Sequence, residues 1–341
     1  MDVELSDEQR ELAAGAREFL SEQCPPSRVR TAWDEGHDPR LWSQLAEVGF
    51  LGVVVPEEHG GLGLGELDLA VLLEEAGRVA LPVPLLETAV AALTLLDAGS
   101  PEQCKRWLPG IAAGEVVATI GLPGQSLVVA APDADLLILA RDGALHAVEA
   151  DRCRITPQPT FDASRRLATV SVDTGPDTSL TDDPAKLARF ADRAAVAAAA
   201  TLVGIAAHLV GESVAYVAQR HQFGRPIGSF QAIKYRLADA HLGVEFARPL
   251  TWVAAHLVGV SDAGDPEASG AASAAKVAAS NAEATANEHA LQCHGGIGFT
   301  WEHDLQLWLK RGKALELAYG TPAQHRAKIA DDLFTAAAGR T

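Results

Sequence analysis

The 341-residue sequence predicts a mainly α protein in which a small β domain separates an N-terminal helical domain from a C-terminal helical bundle. Three observations predict this. Apolar residues recur at helical spacing through most of residues 1–116. Short apolar or alternating runs broken by Pro, Gly and Asp fill residues 117–182. Long alanine-rich helical stretches occupy residues 183–341. At 48% hydrophobic and 21% charged the composition is that of a globular chain.

In order along the chain, "LSDEQRELAAGAREFL" offers Ser6 or Asp7 as an N-cap, followed by Leu12, Ala13, Ala16 and Phe19 or Leu20 on one face. "DPRLWSQLAEVGFLG" repeats the pattern and stops at Gly49. Pro56 with Gly60, Gly61, Gly63 and Gly65 forces a loop. "ELDLAVLLEEAGRVA" returns to helix, and "SPEQCKRWLPGIAAGE" gives another with Ser100 as cap and Pro101 in the first turn. From residue 117 the runs "VVATIGL", "SLVVAA", "DLLILARDGALHAVEA" and "LATVSVDT" read as strands, with Asp142-Gly143 supplying a hairpin turn. Beyond Asp183 four helical stretches separated by compact turns predict an antiparallel four-helix bundle. Alanine at so many facing positions buries little area per residue, so this bundle is expected to pack against another subunit.

Charge and cysteine usage narrow the function. A net charge of −17 excludes wrapping a nucleic-acid backbone, but a local cluster of cations still suits an anionic small ligand. Cys24, Cys104, Cys153 and Cys293 form no CxxC pair and read as reduced thiols. The acidic N-terminus lacks the features of a secretion signal, and no apolar run is expected to insert in a membrane. A cytoplasmic protein is predicted.

The stretch "RHQFGRPIGSFQAIKYRLADAH" at 220–241 gathers Arg220, His221, Arg225, Lys234 and Arg236 around Phe223 and Phe230 in an acidic chain. A guanidinium beside an aromatic ring suits an anion attached to a flat group, and it also suits a solvated helix end. "LQCHGGIGFTWEHDLQLWLKR" at 291–311 adds Gly295 and Gly296, where a backbone turns sharply or lets a ligand come close. His289, Cys293 and His294 invite a metal reading, but no second ligand pair accompanies them, and no metal site is predicted. The loop "EEHGGLGLG" follows no strand and precedes no Lys-Ser/Thr, so it is not a phosphate cradle.

Together with "PEEHGGLGLGELDLAVLLEEAGR" at 56–78, these motifs in this order resemble the acyl-CoA dehydrogenase family over nearly the whole chain. The resemblance implies α,β-dehydrogenation of an acyl-CoA thioester. A glutamate takes the α proton, FAD takes the β hydride, and electron-transfer flavoprotein reoxidises the flavin. It further implies that Arg220, Gln222 and Phe223 reach a neighbouring subunit's FAD, with Gln292, Gly295, Gly296 and Thr321 as further FAD contacts.

The sequence departs from the family where the catalytic base belongs. The "YEGT"-like turn reads "LAYGT", with Tyr319 in the glutamate's place. The alternative position on the first bundle helix falls in "RFADRAAVAAAA", near Asp192 and Arg193, and also lacks a glutamate. A phenol with a pKa of about 10 is a poor base for a thioester α proton. Glu316 is read as structural. The β domain is reduced, and its flavin-lining turn and tryptophan strand are curtailed.

These departures resemble the short, non-catalytic type of subunit in actinobacterial heterotetrameric acyl-CoA dehydrogenases acting on steroid side chains. The expected function is to complete the FAD site of a catalytic acyl-CoA dehydrogenase partner subunit, with no catalytic residue in this chain. The alternatives are a self-sufficient dehydrogenase with an unrecognised base and a flavin-free stabilising subunit. The acyl-CoA substrate is left open.

Overall fold

The computed structural model describes residues 4–338. Ser6 caps α1 (Asp7–Gln23) with a capping box: its Oγ accepts from Gln9 N–H, and the Gln9 side chain accepts from Ser6 N–H. α2 (Pro26–Glu35) opens on a proline in the first turn. α3 (Pro39–Glu47) is capped by Asp38 and ends before Gly49, which sits at φ +80°. A loop then leads into α4 (Glu66–Arg78), α5 (Leu85–Ala98) and α6 (Pro101–Ala112). Neither α2 nor α5 was expected. α5 is buried from Leu85 through Leu95, so it has no polar face and leaves no amphipathic signature.

The middle region holds β1 (Ala118–Gly121), β2 (Leu127–Val128), β3 (Leu136–Arg141), β4 (Ala144–Glu149), β5 (Arg154–Pro157), β6 (Ala168–Ser171) and β7 (Ser179–Thr181). One sheet has the order β1-β3-β4-β7, with β1 parallel to β3 and the other pairs antiparallel. The second sheet has the order β2-β6-β5. The expected hairpin joins β3 to β4, with Asp142 at φ +49° and Gly143 at φ +79°.

The remainder is α7 (Pro184–Gln219), a small hairpin of β8 (His221–Gln222) and β9 (Arg225–Pro226), then α8 (Gln231–Val260), α9 (Pro266–His294), α10 (Leu305–Leu317) and α11 (Pro322–Ala338). α7, α8 and α9 pack on one another, and α10 and α11 both pack against α9. The four expected bundle helices are thus present as α7, α8, α9 and α10, with α10 against both α7 and α9, and α11 adds a further helix against α9. α7 also packs on α4, where small residues let backbones touch. A Cβ added to Gly204 would lie 1.9 Å from the Glu74 carbonyl oxygen, and one added to Gly77 would lie 2.2 Å from that of Thr201.

The expectation that no apolar run could cross a membrane needs correction. α7 carries an 18-residue window of mean hydropathy 1.9, long and apolar enough to do so. Within the fold 78% of that window is buried, as expected of a core helix.

Candidate functional site

Two of the sequence motifs converge at one end of the bundle. Val217 at the end of α7, Leu237 on α8 and Cys293 near the end of α9 form a small buried cluster. This cluster fixes the β8–β9 hairpin beside the turn that follows α9. The side chains of Arg220, Gln222, Phe223 and Gln292 and the backbone of Gly295 and Gly296 are exposed there.

The hairpin geometry is unusual. Phe223 and Gly224 occupy its tip at φ +53° and +77°. Positive φ costs an aromatic residue free energy that glycine does not incur, and the ring it supports is 90% exposed. Phe230 stands edge-on to it at 6.1 Å, and the Arg225 guanidinium lies 4.1 Å over the Phe230 ring. No carboxylate among the described residues pairs with the Arg220 guanidinium. Gln222 spends its amide on the His221 carbonyl at 2.8 Å, which leaves its side-chain oxygen as an acceptor.

A Cβ added to Gly295 (φ +63°) or to Gly296 would meet nothing within 4 Å, so neither glycine is required by packing inside this chain. An unpaired guanidinium, an exposed ring, an amide and an open backbone on one edge fit a ligand carrying a pyrophosphate and a flat ring system. Thr321 is not part of this edge. Its Oγ1 accepts from Gln324 N–H as the cap of α11. The neighbouring Gly320 carbonyl is held by Lys276 of α9, at 3.0 Å. Lys276 lies sixteen residues before Gln292, a rise of about 24 Å along the helix.

Where the family's base is expected, the structure places a closed cluster. Tyr319 (φ +56°) is buried, and its hydroxyl donates to Glu87 Oε1 at 2.5 Å. Arg165 Nη2 donates to the Tyr319 hydroxyl at 3.2 Å and to Glu87 Oε1 at 3.4 Å. Burial, followed by the Glu87 charge, pushes the Tyr319 phenol well above its usual range, so it remains protonated. Burial works against the Arg165 cation, but the carboxylates of Glu87 and Asp162 favour the charged form and its pKa is raised. Beside this cluster Arg311 pairs with Asp162 and donates to Ser164 Oγ at 2.6 Å and to the Leu81 carbonyl at 2.7 Å. The adjoining cavity, lined by Leu73, Val83, Glu87, Arg165, Arg311 and Leu315, has a volume of about 50 Å³.

The other acidic residues near the two base positions have structural partners. Glu316 pairs with Lys313 at 2.8 Å, Asp192 with Lys328 at 2.8 Å, and Arg193 with Glu66 at 2.8 Å. Of the residues considered for a metal, His289 faces Arg236 at 3.4 Å and Cys293 sits in the apolar cluster, so neither joins His294. Glu87, Arg165, Asp162 and Arg311 were missed at the sequence level. A lone carboxylate in the apolar run "LLETAVAALTLL" is the signal that points to Glu87.

Comparison with known proteins agrees with this geometry. The family model "Acyl-CoA dehydrogenase, N-terminal domain" matches residues 6–115, and "Acyl-CoA dehydrogenase, C-terminal domain" matches residues 188–334. Acyl-CoA dehydrogenase IpdE2 of Mycolicibacterium smegmatis is 37% identical over 334 residues, covering 97% of this chain and 100% of that protein. Its namesake from Mycobacterium tuberculosis is 38% identical, covering 89% and 91%. Among solved structures, a variant of the Tcur3481–Tcur3483 steroid ACAD superposes with a TM-score of 0.90 at 29% identity, covering 97% of this chain and 99% of the other. The ChsE4–ChsE5 complex from Mycobacterium tuberculosis gives 0.87 at 25%, covering 98% and 99%. The chain belongs to the acyl-CoA dehydrogenase family, FAD-binding oxidoreductases acting on CH–CH bonds.

Proposed function

We propose that this chain is the partner subunit of a heteromeric, FAD-dependent acyl-CoA dehydrogenase and that it carries no catalytic base. The observation carrying this reading is the Glu87–Tyr319–Arg165 cluster at the base position. Its phenol stays protonated, its carboxylate oxygen already accepts two hydrogen bonds, and the space beside it is far below the roughly 300–1,000 Å³ of pockets that hold drug-sized ligands. Arg220, Gln222, Phe223, Gln292, Gly295 and Gly296 then face FAD bound mainly by the companion chain. Thr321 is the weakest of the proposed contacts because it is already employed as a cap. FAD, when bound, supplies the acceptor for the substrate's β hydride.

An exposed apolar stripe on α8 supports a subunit interface. Leu242, Phe246 and Leu250 recur every four residues and are 53%, 71% and 45% exposed. Two structurally similar proteins are described as assemblies of two named chains, Tcur3481–Tcur3483 and ChsE4–ChsE5, and the first as a steroid ACAD. They support a hetero-oligomer acting on a steroid-derived acyl-CoA; electron-transfer flavoprotein is the electron acceptor that the family resemblance implies. The four free cysteines fit a reducing cytoplasm.

Co-expression with a homologous chain that retains the glutamate tests the proposal. The complex should contain flavin and be bleached by acyl-CoA, and this chain alone should show neither property. A second reading, self-sufficient catalysis, would use Glu87, a cavity-lining carboxylate hydrogen-bonded to Tyr319 and Arg165. Flavin bleaching by the lone chain that Glu87→Gln abolishes would establish that reading instead. Absence of flavin in every combination would leave a stabilising subunit.

A further inference from the structure

At the end of α9, three side chains from separate segments point at one another. Glu212 on α7, His294 closing α9 and His303 in the turn before α10 bring one potential ligand atom each within 4.8 Å of the others. The metal trio weighed in the sequence had His294 on its own helix with His289 and Cys293. The fold instead gives His294 partners from α7 and from beyond the glycine turn. We propose that Glu212, His294 and His303 bind one divalent transition-metal ion of the zinc type.

The second observation is an orphaned nitrogen. His294 is 5% exposed, and its Nδ1 lies 2.8 Å from the Ala290 carbonyl oxygen. A carbonyl can only accept, so Nδ1 carries the proton and Nε2 presents its lone pair. That Nε2 is buried and has no hydrogen-bond partner. The arrangement is the usual one for a ligating histidine, whose other nitrogen is anchored to a carbonyl that sets tautomer and ring orientation. Tyr216, one turn after Glu212 on α7, stacks on the His294 ring at 4.2 Å and meets the His303 ring edge-on at 6.4 Å.

The donor set selects the ion. Two imidazoles and one carboxylate, completed by a water, suit tetrahedral Zn²⁺ better than the all-oxygen preferences of Ca²⁺ or Mg²⁺. Bonds of about 2.0–2.1 Å place tetrahedral ligand atoms about 3.4 Å apart, so the three side chains close inward by about 1 Å on loading. Glu212 is exposed and free to make that movement. His303 gives up one bond, because its Nδ1 now accepts from Leu305 N–H at 3.1 Å. Ligation through Nε2 moves the ring proton to Nδ1, and ligation through Nδ1 displaces the same amide. The imidazole stays neutral either way.

His294 and His303 flank the Gly295–Phe299 turn, so the ion would tie both ends of that turn to α7. This site stands independently of the FAD reading. The test uses the untagged full chain, stripped with chelator and titrated with Zn²⁺ against a chromophoric competitor, with Co²⁺ absorption as the report of geometry. One equivalent should bind, raise Tm, and give a tetrahedral Co²⁺ spectrum. Glu212→Gln, which alters an exposed residue, and His303→Asn should each weaken binding by about tenfold or more. Sub-stoichiometric or non-saturable binding, or affinity unchanged in both variants, would overturn the proposal. A flavin-free preparation serves equally, so failure of the FAD reading would leave this outcome distinguishable.

Discussion

The Tyr319 hydroxyl lies 2.5 Å from Glu87 Oε1, joining residues 232 positions apart in the sequence. In the function proposed above, this bond makes the position of the family's base a structural element. Arg165 supplies the counter-charge, so one buried carboxylate satisfies two donors. Breaking such a cluster from one side leaves a buried polar group unpaired, which costs more than the bond itself contributes.

Tyr319→Phe should therefore destabilise the chain by about 1–3 kcal/mol. The kcat of the reconstituted heteromer should be unchanged. Urea unfolding together with turnover measures both. A large loss of kcat with little loss of stability would make Tyr319 a participant in the chemistry.

Phe223 predicts an opposite pairing of effects. Replacing it with glycine relieves the positive φ and should stabilise the fold by up to about 1 kcal/mol. The same change should lower flavin retention in the complex, and adding Arg220→Ala should lower it further. Flavin content after gel filtration is the measurement. Full retention in the double variant would remove the hairpin from the cofactor site.

Gly296→Leu separates packing from binding in the same way. No atom lies within 4 Å of its first side-chain carbon, so Tm of the isolated chain should barely move. Flavin binding in the complex should fall, because the side chain intrudes where the ligand is proposed to approach. Equal flavin affinity for wild type and variant would show that nothing docks on this backbone.

His208 gives the pH dependence. Its ring stacks on Trp308 at 3.8 Å, and burial, aided by the Arg78 charge, lowers its pKa to about 4. Between pH 6.5, the unfolded value, and about 4 the unfolded chain binds a proton that the folded chain refuses. Stability from this group is thus intact above pH 6.5 and is lost as the pH falls, by about 3 kcal/mol in all. Comparing unfolding of wild type and His208→Phe at pH 7 and pH 4.5 isolates this contribution. Identical pH slopes would show that His208 is not its source.

Much of the architecture was legible in the sequence because it rests on local rules. Ser6 and Ser100 cap the helices expected of them, and Asp142-Gly143 turns the expected hairpin. α5 was not legible. A helix buried on every face has no periodicity to read, and only its neighbours make it a helix. α11 was also missed, although its Thr321–Gln324 capping box stands in the sequence.

The site divides along the same line. Arg220, Phe223, Gln292 and the Gly295-Gly296 pair belong to contiguous motifs, so they could be singled out from the sequence. Their residue types alone left a solvated helix end equally open, and the ligand reading came from the family resemblance. Phe223's strain and the open space at Gly296 required the backbone to be known. The Glu87–Arg165–Tyr319 cluster and the Glu212–His294–His303 trio each draw on three distant segments. The sequence by itself determined the capped, amphipathic helices and the Asp142-Gly143 turn, and that Tyr319 stands in the "LAYGT" turn, since these follow from residue identity and short-range spacing. Tertiary structure decided which charges meet out of water, because pairing of buried groups depends on how helices pack, and local sequence does not encode that distance.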